Sequence, residues 1–297
     1  MGFVIVQIVA NTVFGLIIRH ARTDPQTYFR AGAVNYFAGM SLALAAALLA
    51  GGLHFEWPVS LLAVYQGIQY QLAYILLFAL IAVGGLAVTF TFLRMSVVVP
   101  ILGSIFFWGE SPDVFRVAGI LLMLGALPLL GADARRSAGP LGIRLPALLM
   151  LLAMAMTGTG SLAAKSFAEL KVDSTAVDYS AFTFIGAAAS SVVTWPLVSR
   201  LVRRHRLRST APAYPDTRSL IVWLAIGVAL GTANFLQNSA LVQALSELPG
   251  TLVFPVAASG YLLLISVADY TIWKRRFGKL TVAGVLLGIS GIVVANL

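Results

Sequence analysis

The apolar residues of this chain fall into blocks of about twenty, the length a helix needs to cross roughly 30 Å of hydrocarbon. Short polar or glycine- and proline-bearing breaks separate the blocks. The pattern predicts ten helices, over residues 2–18, 31–53, 59–80, 83–109, 114–131, 146–167, 177–202, 219–241, 250–273 and 279–295. The third is unusually polar: Tyr65, Gln66, Gln69, Tyr70, Gln71 and Tyr74 lie in it. Polar side chains at membrane depth face protein or a water-filled cavity. That helix is therefore expected to line something.

Composition strengthens the membrane reading. Of the 297 residues 59% are hydrophobic and 10% charged, against about 25% charged in soluble domains. No stretch between the blocks is long enough to fold by itself, so no soluble catalytic domain is expected. The chain has no Cys, which excludes disulfides and thiolate metal sites. His20, His54 and His205 are far apart and lack metal-ligand spacing. Neither a cofactor nor a metal is implied. Residues 2–18 have no basic stretch before them and carry Arg19 and Arg22 after them, the reverse of a secretory signal. They are expected to stay as a helix.

The formal charge of +9 is read as a topology signal, not as a nucleic-acid footprint. Sixteen Lys and Arg fall in loops after odd-numbered helices, and three (Arg116, Lys165, Lys171) after even-numbered ones. Basic residues mark cytoplasmic loops. The odd loops are placed inside the cell and both termini outside, for a multi-pass protein of the inner (plasma) membrane.

The chain also resembles itself. At an offset of 165, Ala79-Leu80 falls on Ala244-Leu245, Gly85 on Gly250, Phe107-Trp108 on Ile272-Trp273, and the run from Val117 to Leu122 on that from Val282 to Leu287. Nearer the start the offset is about 146, pairing Arg19 with Lys165. The expected architecture is an all-α membrane protein of two five-helix repeats, 1–131 and 146–297, joined by a cytoplasmic linker, 132–145. An odd number of helices per copy inverts the second relative to the first. Inverted repeats place a substrate site at their interface near mid-bilayer.

The residues that carry a family likeness stand in matching order in the two halves. They are Arg94 to Pro100 (RMSVVVP), Phe107 to Glu110 (FWGE) and Gly119 to Leu122, then Leu248 to Pro255 (LPGTLVFP), Trp273 to Arg276 (WKRR) and Gly284 to Leu287. In these the chain resembles the drug/metabolite transporter superfamily, in its EamA-like branch of ten-helix carriers, over nearly its whole length. The resemblance implies transport of a small molecule. Two departures stand out: Lys274-Arg275-Arg276 occupies a place where the family often has an acid, and the charge count puts the termini outside, where the family usually has them in the cytoplasm.

Several residues are candidates for substrate contact. Arg94 lies mid-helix, where an unpaired guanidinium costs at least about 2.5–3.5 kcal/mol. It is either a bidentate clamp for an anionic group or is satisfied by carbonyls and polar neighbours. Gln66, Gln69, Tyr70 and Tyr74 fall on one side of the third helix, and Asn234, Gln237 and Asn238 share a face of the eighth. Gln69 falls on Asn234 in the repeat register. These amides and phenols either bind a polar substrate or bond helix to helix. Gln7 and Asn11 share a face of the first helix, and Tyr261 is a possible wall. Glu110 is expected to pair with Arg116 at the membrane boundary, and Lys165 to snorkel. Pro100 is expected to bend the fourth helix.

No catalytic constellation or nucleotide-binding motif is present. The function expected is a gradient-driven secondary transporter of a small polar or amphipathic metabolite, working by alternating access. The alternatives are a lipid-carrier flippase or a non-transporting scaffold or receptor. The partners expected are a small-molecule substrate and the lipid bilayer, with no nucleic acid; the sequence specifies neither a monomer nor a homodimer.

Overall fold

The computed structural model describes residues 1–21, 25–84, 93, 96–130, 144–170, 172–208, 216–272, 274 and 278–294. Among them the secondary structure is all helical: α1 (Gly2–Ala21), α2 (Pro25–Leu49), α3 (Val59–Gly84), α4 (Val98–Trp108), α5 (Val114–Leu130), α6 (Arg144–Glu169), α7 (Ala176–Arg208), α8 (Asp216–Glu247), α9 (Gly250–Thr271) and α10 (Lys279–Val294). Segments within four of these, Tyr28–Leu49, Ala176–Arg200, Leu220–Glu247 and Gly250–Ala268, are long and apolar enough to cross a membrane. Large apolar side chains also point outward, with Phe106 77% and Phe107 75% exposed. Both observations describe a membrane protein.

Several boundaries differ from those expected. α7 and α8 run past their apolar stretches, because Arg, Gln and Glu are good helix formers and a helix can continue into water. α2 stops at Leu49, and Gly51 and Gly52 follow with φ of +114° and +123°, a backbone only glycine adopts readily. α6 begins at Arg144, inside the expected linker. The fourth helix departs most. A turn at Ser96 and Val97 precedes α4, with the Ser96 N–H donating to the Leu93 carbonyl at 3.2 Å. Pro100 therefore sits in the first turn of α4, where its missing N–H removes no intrahelical bond. Prolines inside helices are instead Pro128 of α5, Pro196 of α7 and Pro255 of α9, each without an N–H for the carbonyl four residues earlier.

Packing is mostly between the first five helices and the last five. α5 lies along α10, α2 along α7 and α8, and α3 along α6 and α7. α1 packs on α8 and α9, and α4 on α6 and α9. Small residues set the closest approaches. A Cβ at Gly67 of α3 would stand 1.9 Å from the Thr183 carbonyl oxygen of α7, and one at Gly231 of α8 2.6 Å from the Asn35 carbonyl oxygen of α2. Lipid tails are as apolar as leucine, so helices gain from tight van der Waals contact more than from exclusion of water. A Cβ at Gly291 of α10 would stand 2.9 Å from the Gly119 carbonyl oxygen of α5.

Candidate functional site

α1, α2, α3, α6, α8 and α9, with the chain just before α4, line a cavity of about 260 Å³. This is near the small end of ordinary ligand pockets, roughly 300–1,000 Å³. Gln7 and Asn11 of α1, Gln66, Gln69, Tyr70 and Tyr74 of α3, and Asn234, Gln237 and Asn238 of α8 all line it. Their helical spacing turns these groups to one side, and packing brings the sides together. Tyr261 is buried in the core of α9 against Gly15 of α1, on the same helix as the wall residues Ala257 and Ala258. Arg94 lies outside the described residues; its sequence neighbours Leu93 and Ser96 are on the wall.

The polar wall is internally wired. The Gln66 amide donates to the Tyr70 hydroxyl at 3.0 Å, and that hydroxyl donates to Asn238 Oδ1 at 2.8 Å. Asn238 Nδ2 donates to Ser180 Oγ of α7 at 3.1 Å. The Gln69 amide donates to the Tyr65 hydroxyl and to Thr159 Oγ1 of α6 at 2.8 Å. Gln237 donates to Asn234 Oδ1 at 2.7 Å, and Asn234 to Asn35 of α2 at 3.3 Å. The Tyr36 hydroxyl donates to the Tyr70 carbonyl at 3.0 Å. Interhelical bonding and cavity lining are thus properties of the same residues. Gln71 differs: its amide donates to Thr194 of α7 at 2.8 Å, and it is not on the wall.

Sequence reasoning did not single out Thr157, Gly160 and Ser161 of α6, which also line the cavity. The repeat register held a signal, because an offset of 146 sets Asn11 on Thr157. Gly160 has a spatial role: a Cβ there would stand 2.7 Å from Gln69 Oε1.

Toward one end of the cavity its wall continues into a buried apolar cluster. From the wall residues Val97, Ser161, Leu241 and Phe254, the four helices run on through buried Ile101, Ala164, Leu245 and Val253. Beyond that layer Glu110, 13% exposed, lies 2.7 Å from Nζ of Lys165, which also bonds Glu169. The two Glu110 carboxylate oxygens accept the N–H groups of Gly250 and Thr251, each at 2.8 Å. Pro249 has no side chain able to cap α9, so a carboxylate from the end of α4 satisfies the free N–H groups and the positive helix end. Burial pushes the Glu110 carboxyl up, but the bonds from Lys165, Thr251 and Gly250 outweigh it and hold it below its ordinary value.

This corrects two expectations. Arg116 pairs with Asp113 at 3.5 Å, not with Glu110, and Lys165 does not snorkel, being 1% exposed. The reason is tertiary: α4, α6 and α9 meet at this end, so the carboxylate finds a closer cation and two backbone donors on other helices. Asp178 is likewise structural, its Oδ2 accepting from the Thr175 N–H and hydroxyl, each at 2.8 Å, in a capping box at the start of α7. Its Oδ1 also accepts the His54 N–H at 3.2 Å.

No protein-family model matches the chain, and no curated protein matches it. Among solved structures 28 chains match. One, described only as "Crystal structure of protein", superposes over 100% of this chain and 99% of its own with a TM-score of 0.71 at 19% identity. At that identity the likeness is one of fold, over the whole length of both chains.

Proposed function

We propose that the chain is a secondary carrier of the inner membrane, moving a small polar or amphipathic metabolite by alternating access between two inverted five-helix halves. The observation that carries this reading is the cavity: buried amides from both halves and phenols of the first converge on one space, with an ionic cluster beyond one end of it. The helix pairing supports the repeat. Exchanging α1–α5 for α6–α10 turns α2·α8, α1·α8 and α1·α9 into α7·α3, α6·α3 and α6·α4, all of which pack, and maps α2·α7, α4·α9 and α5·α10 onto themselves. The pairs α5·α9, α6·α8, α7·α8 and α9·α10, and the slighter α1·α2 and α8·α9, have no counterpart that packs as closely, as two halves caught in one asymmetric state would. The ends of α4 and α6 and the start of α9 lie on the even-loop side, outside by the charge count. The state is then outward-closed, with Ile18 on the wall one turn short of the end of α1.

A non-transporting scaffold has no need of such a cavity. A flippase would need a ligand for a lipid phosphate, which Arg94 could supply, and nothing described on the wall favours it. Because the chain has no Cys, a single Cys at Ser161 reports access directly. In oriented vesicles, an impermeant thiol reagent should reach that Cys from the inside in the protein as it stands. Glu110→Gln should raise its reactivity from the outside. No reaction from either side would end the carrier reading, and reaction from one side only in both proteins would reduce the cavity to a receptor pocket.

A further inference from the structure

The direction of the hydrogen bonds on the cavity wall selects the chemistry of what enters it. The Ser180 hydroxyl donates to the Ala176 carbonyl at 2.8 Å and lies 2.9 Å from the Ser239 hydroxyl, so with its proton on the carbonyl its oxygen is an acceptor for Asn238 Nδ2. Asn238 therefore turns its carbonyl oxygen to Tyr70, the Tyr70 proton is spent on it, and Gln66 must approach Tyr70 with its NH₂ group. A backbone carbonyl thus fixes, through three side chains, which end of Gln66 is oxygen. Gln69 is fixed in the same way: the Thr159 hydroxyl donates to the Ala155 carbonyl at 2.9 Å, so Thr159 Oγ1 can only receive the Gln69 amide.

Among the described residues of the wall, the buried polar atoms left without a partner are three, all of them amide oxygens: Oε1 of Gln66, of Gln69 and of Gln7 on α1. Gln66 is 2% exposed and the other two are 7% exposed. Meanwhile the hydroxyl protons of Tyr36, Tyr70, Tyr74, Ser96 and Ser161 are each committed to a protein acceptor. Buried acceptors without donors are unfavourable and rare, so a site that keeps them is matched to a ligand that supplies protons. A carboxylate would bring only further acceptors to this wall.

We propose that the cavity takes a nitrogen headgroup donating several hydrogen bonds, a protonated primary amine being the simplest, carried on a small apolar body. An ammonium has three donors and no acceptor. The rings of Tyr36, Tyr70 and Tyr74 on the same wall suit a cation, and Phe14, Leu77 and Phe254 suit the apolar part. This assignment rests on reading the cavity as a carrier's substrate site, and it runs against the anion clamp expected from Arg94.

Three probes separate the possibilities: phenethylammonium, its N-trimethylated analogue, and 3-phenylpropionate, each titrated onto the full chain in detergent with thermal unfolding as readout. Phenethylammonium should stabilise the protein and bind about tenfold more tightly than the trimethylated form, which has the charge but no N–H. Gln66→Leu and Gln69→Leu should each weaken it by about tenfold, read as the ligand-induced shift from each variant's own melting temperature, since each removes an acceptor for the ligand. Gln66→Glu, which keeps the acceptor, should retain binding. Equal binding of the trimethylated probe, tighter binding of the carboxylate, or no shift with any of the three overturns the assignment. Flux of the same probes in proteoliposomes judges the carrier reading separately. Binding in the expected order without flux sinks the carrier and spares the donor chemistry; flux of the carboxylate alone does the reverse.

Discussion

Lys165 is the side chain on which most depends locally. It is almost fully buried, with Glu110 and Glu169 as its anions among the described residues and Glu110 doubling as the cap of α9. Removing one member of a buried ion pair leaves an uncompensated charge, at a cost of about 3–5 kcal/mol. Lys165→Met should therefore destabilise more than Glu110→Gln, which still leaves Lys165 its partner Glu169. The double variant should lose less than the sum of the singles by about 1–3 kcal/mol. Thermal unfolding of the four proteins in one detergent checks this; strict additivity would show that the pair contributes nothing. The pH dependence has a definite sign. Glu110 is held below its ordinary value, so the contribution of its charged form is complete above the unfolded value of about 4.3 and vanishes as pH falls through the lower folded value. The melting difference between the wild-type chain and Glu110→Gln should stay flat from pH 8 to about 5 and shrink only below about 4. Shrinkage between pH 7 and 6 would contradict the geometry and would make Glu110 a proton carrier.

At the scale of elements, the tightest contact is that of α3 with α7. Gly67 meets the backbone of Thr183 and Ala187, and Gly186 on the partner helix meets the backbone of Val64. No side chain stands between, so an added methyl cannot be accommodated by a rotamer change. Gly67→Ala forces the two helices apart, and overpacking of this kind typically costs 1–3 kcal/mol or more. The shift would also displace Gln66 and Tyr70, which flank Gly67 on the cavity wall. Gly2→Ala, where an added Cβ meets nothing within 4 Å, is the matched control. A melting temperature for Gly67→Ala equal to that of the control would show that the helices are not held at this distance.

For the whole molecule the open quantity is direction across the membrane. The sixteen-to-three division of basic residues predicts that the loop between α7 and α8 is cytoplasmic and that the ionic cluster lies toward the outer end. A Cys placed at Ser209, which lies outside the described residues, should resist an impermeant thiol reagent in intact cells and react after permeabilisation. Ready labelling in intact cells would turn the molecule over, and the cluster's end would then face the cytoplasm. The repeat register adds a reason for asymmetry at this scale. It sets Arg275 opposite Glu110 and Arg19 opposite Lys165, two like charges in place of an ion pair, so the second end has no sequence counterpart of the first end's cluster.

The sequence by itself determined the class of the protein and most of its helices, because a block of apolar residues has one stable fate in a bilayer: a helix whose backbone bonds are all internal. It also determined which faces carry amides and phenols, since the 3.6-residue period turns Gln66, Gln69, Tyr70 and Tyr74 to one side of α3 and Asn234, Gln237 and Asn238 to one side of α8. It did not determine partners across helices. Glu110 has Arg116 near it in sequence, yet the three-dimensional fold sets Lys165 and the start of α9 closer. Pro100 sits within an unbroken apolar run, yet the turn at Ser96 and Val97 makes it the opening of a helix instead of a bend within one. Nor can periodicity say which end of an amide is its oxygen. That was decided by a chain of bonds from Gln66 through Tyr70, Asn238 and Ser180 to the Ala176 carbonyl. Each link is short-ranged and directional, so it exists only once helices distant in the sequence have packed within about 3 Å of one another.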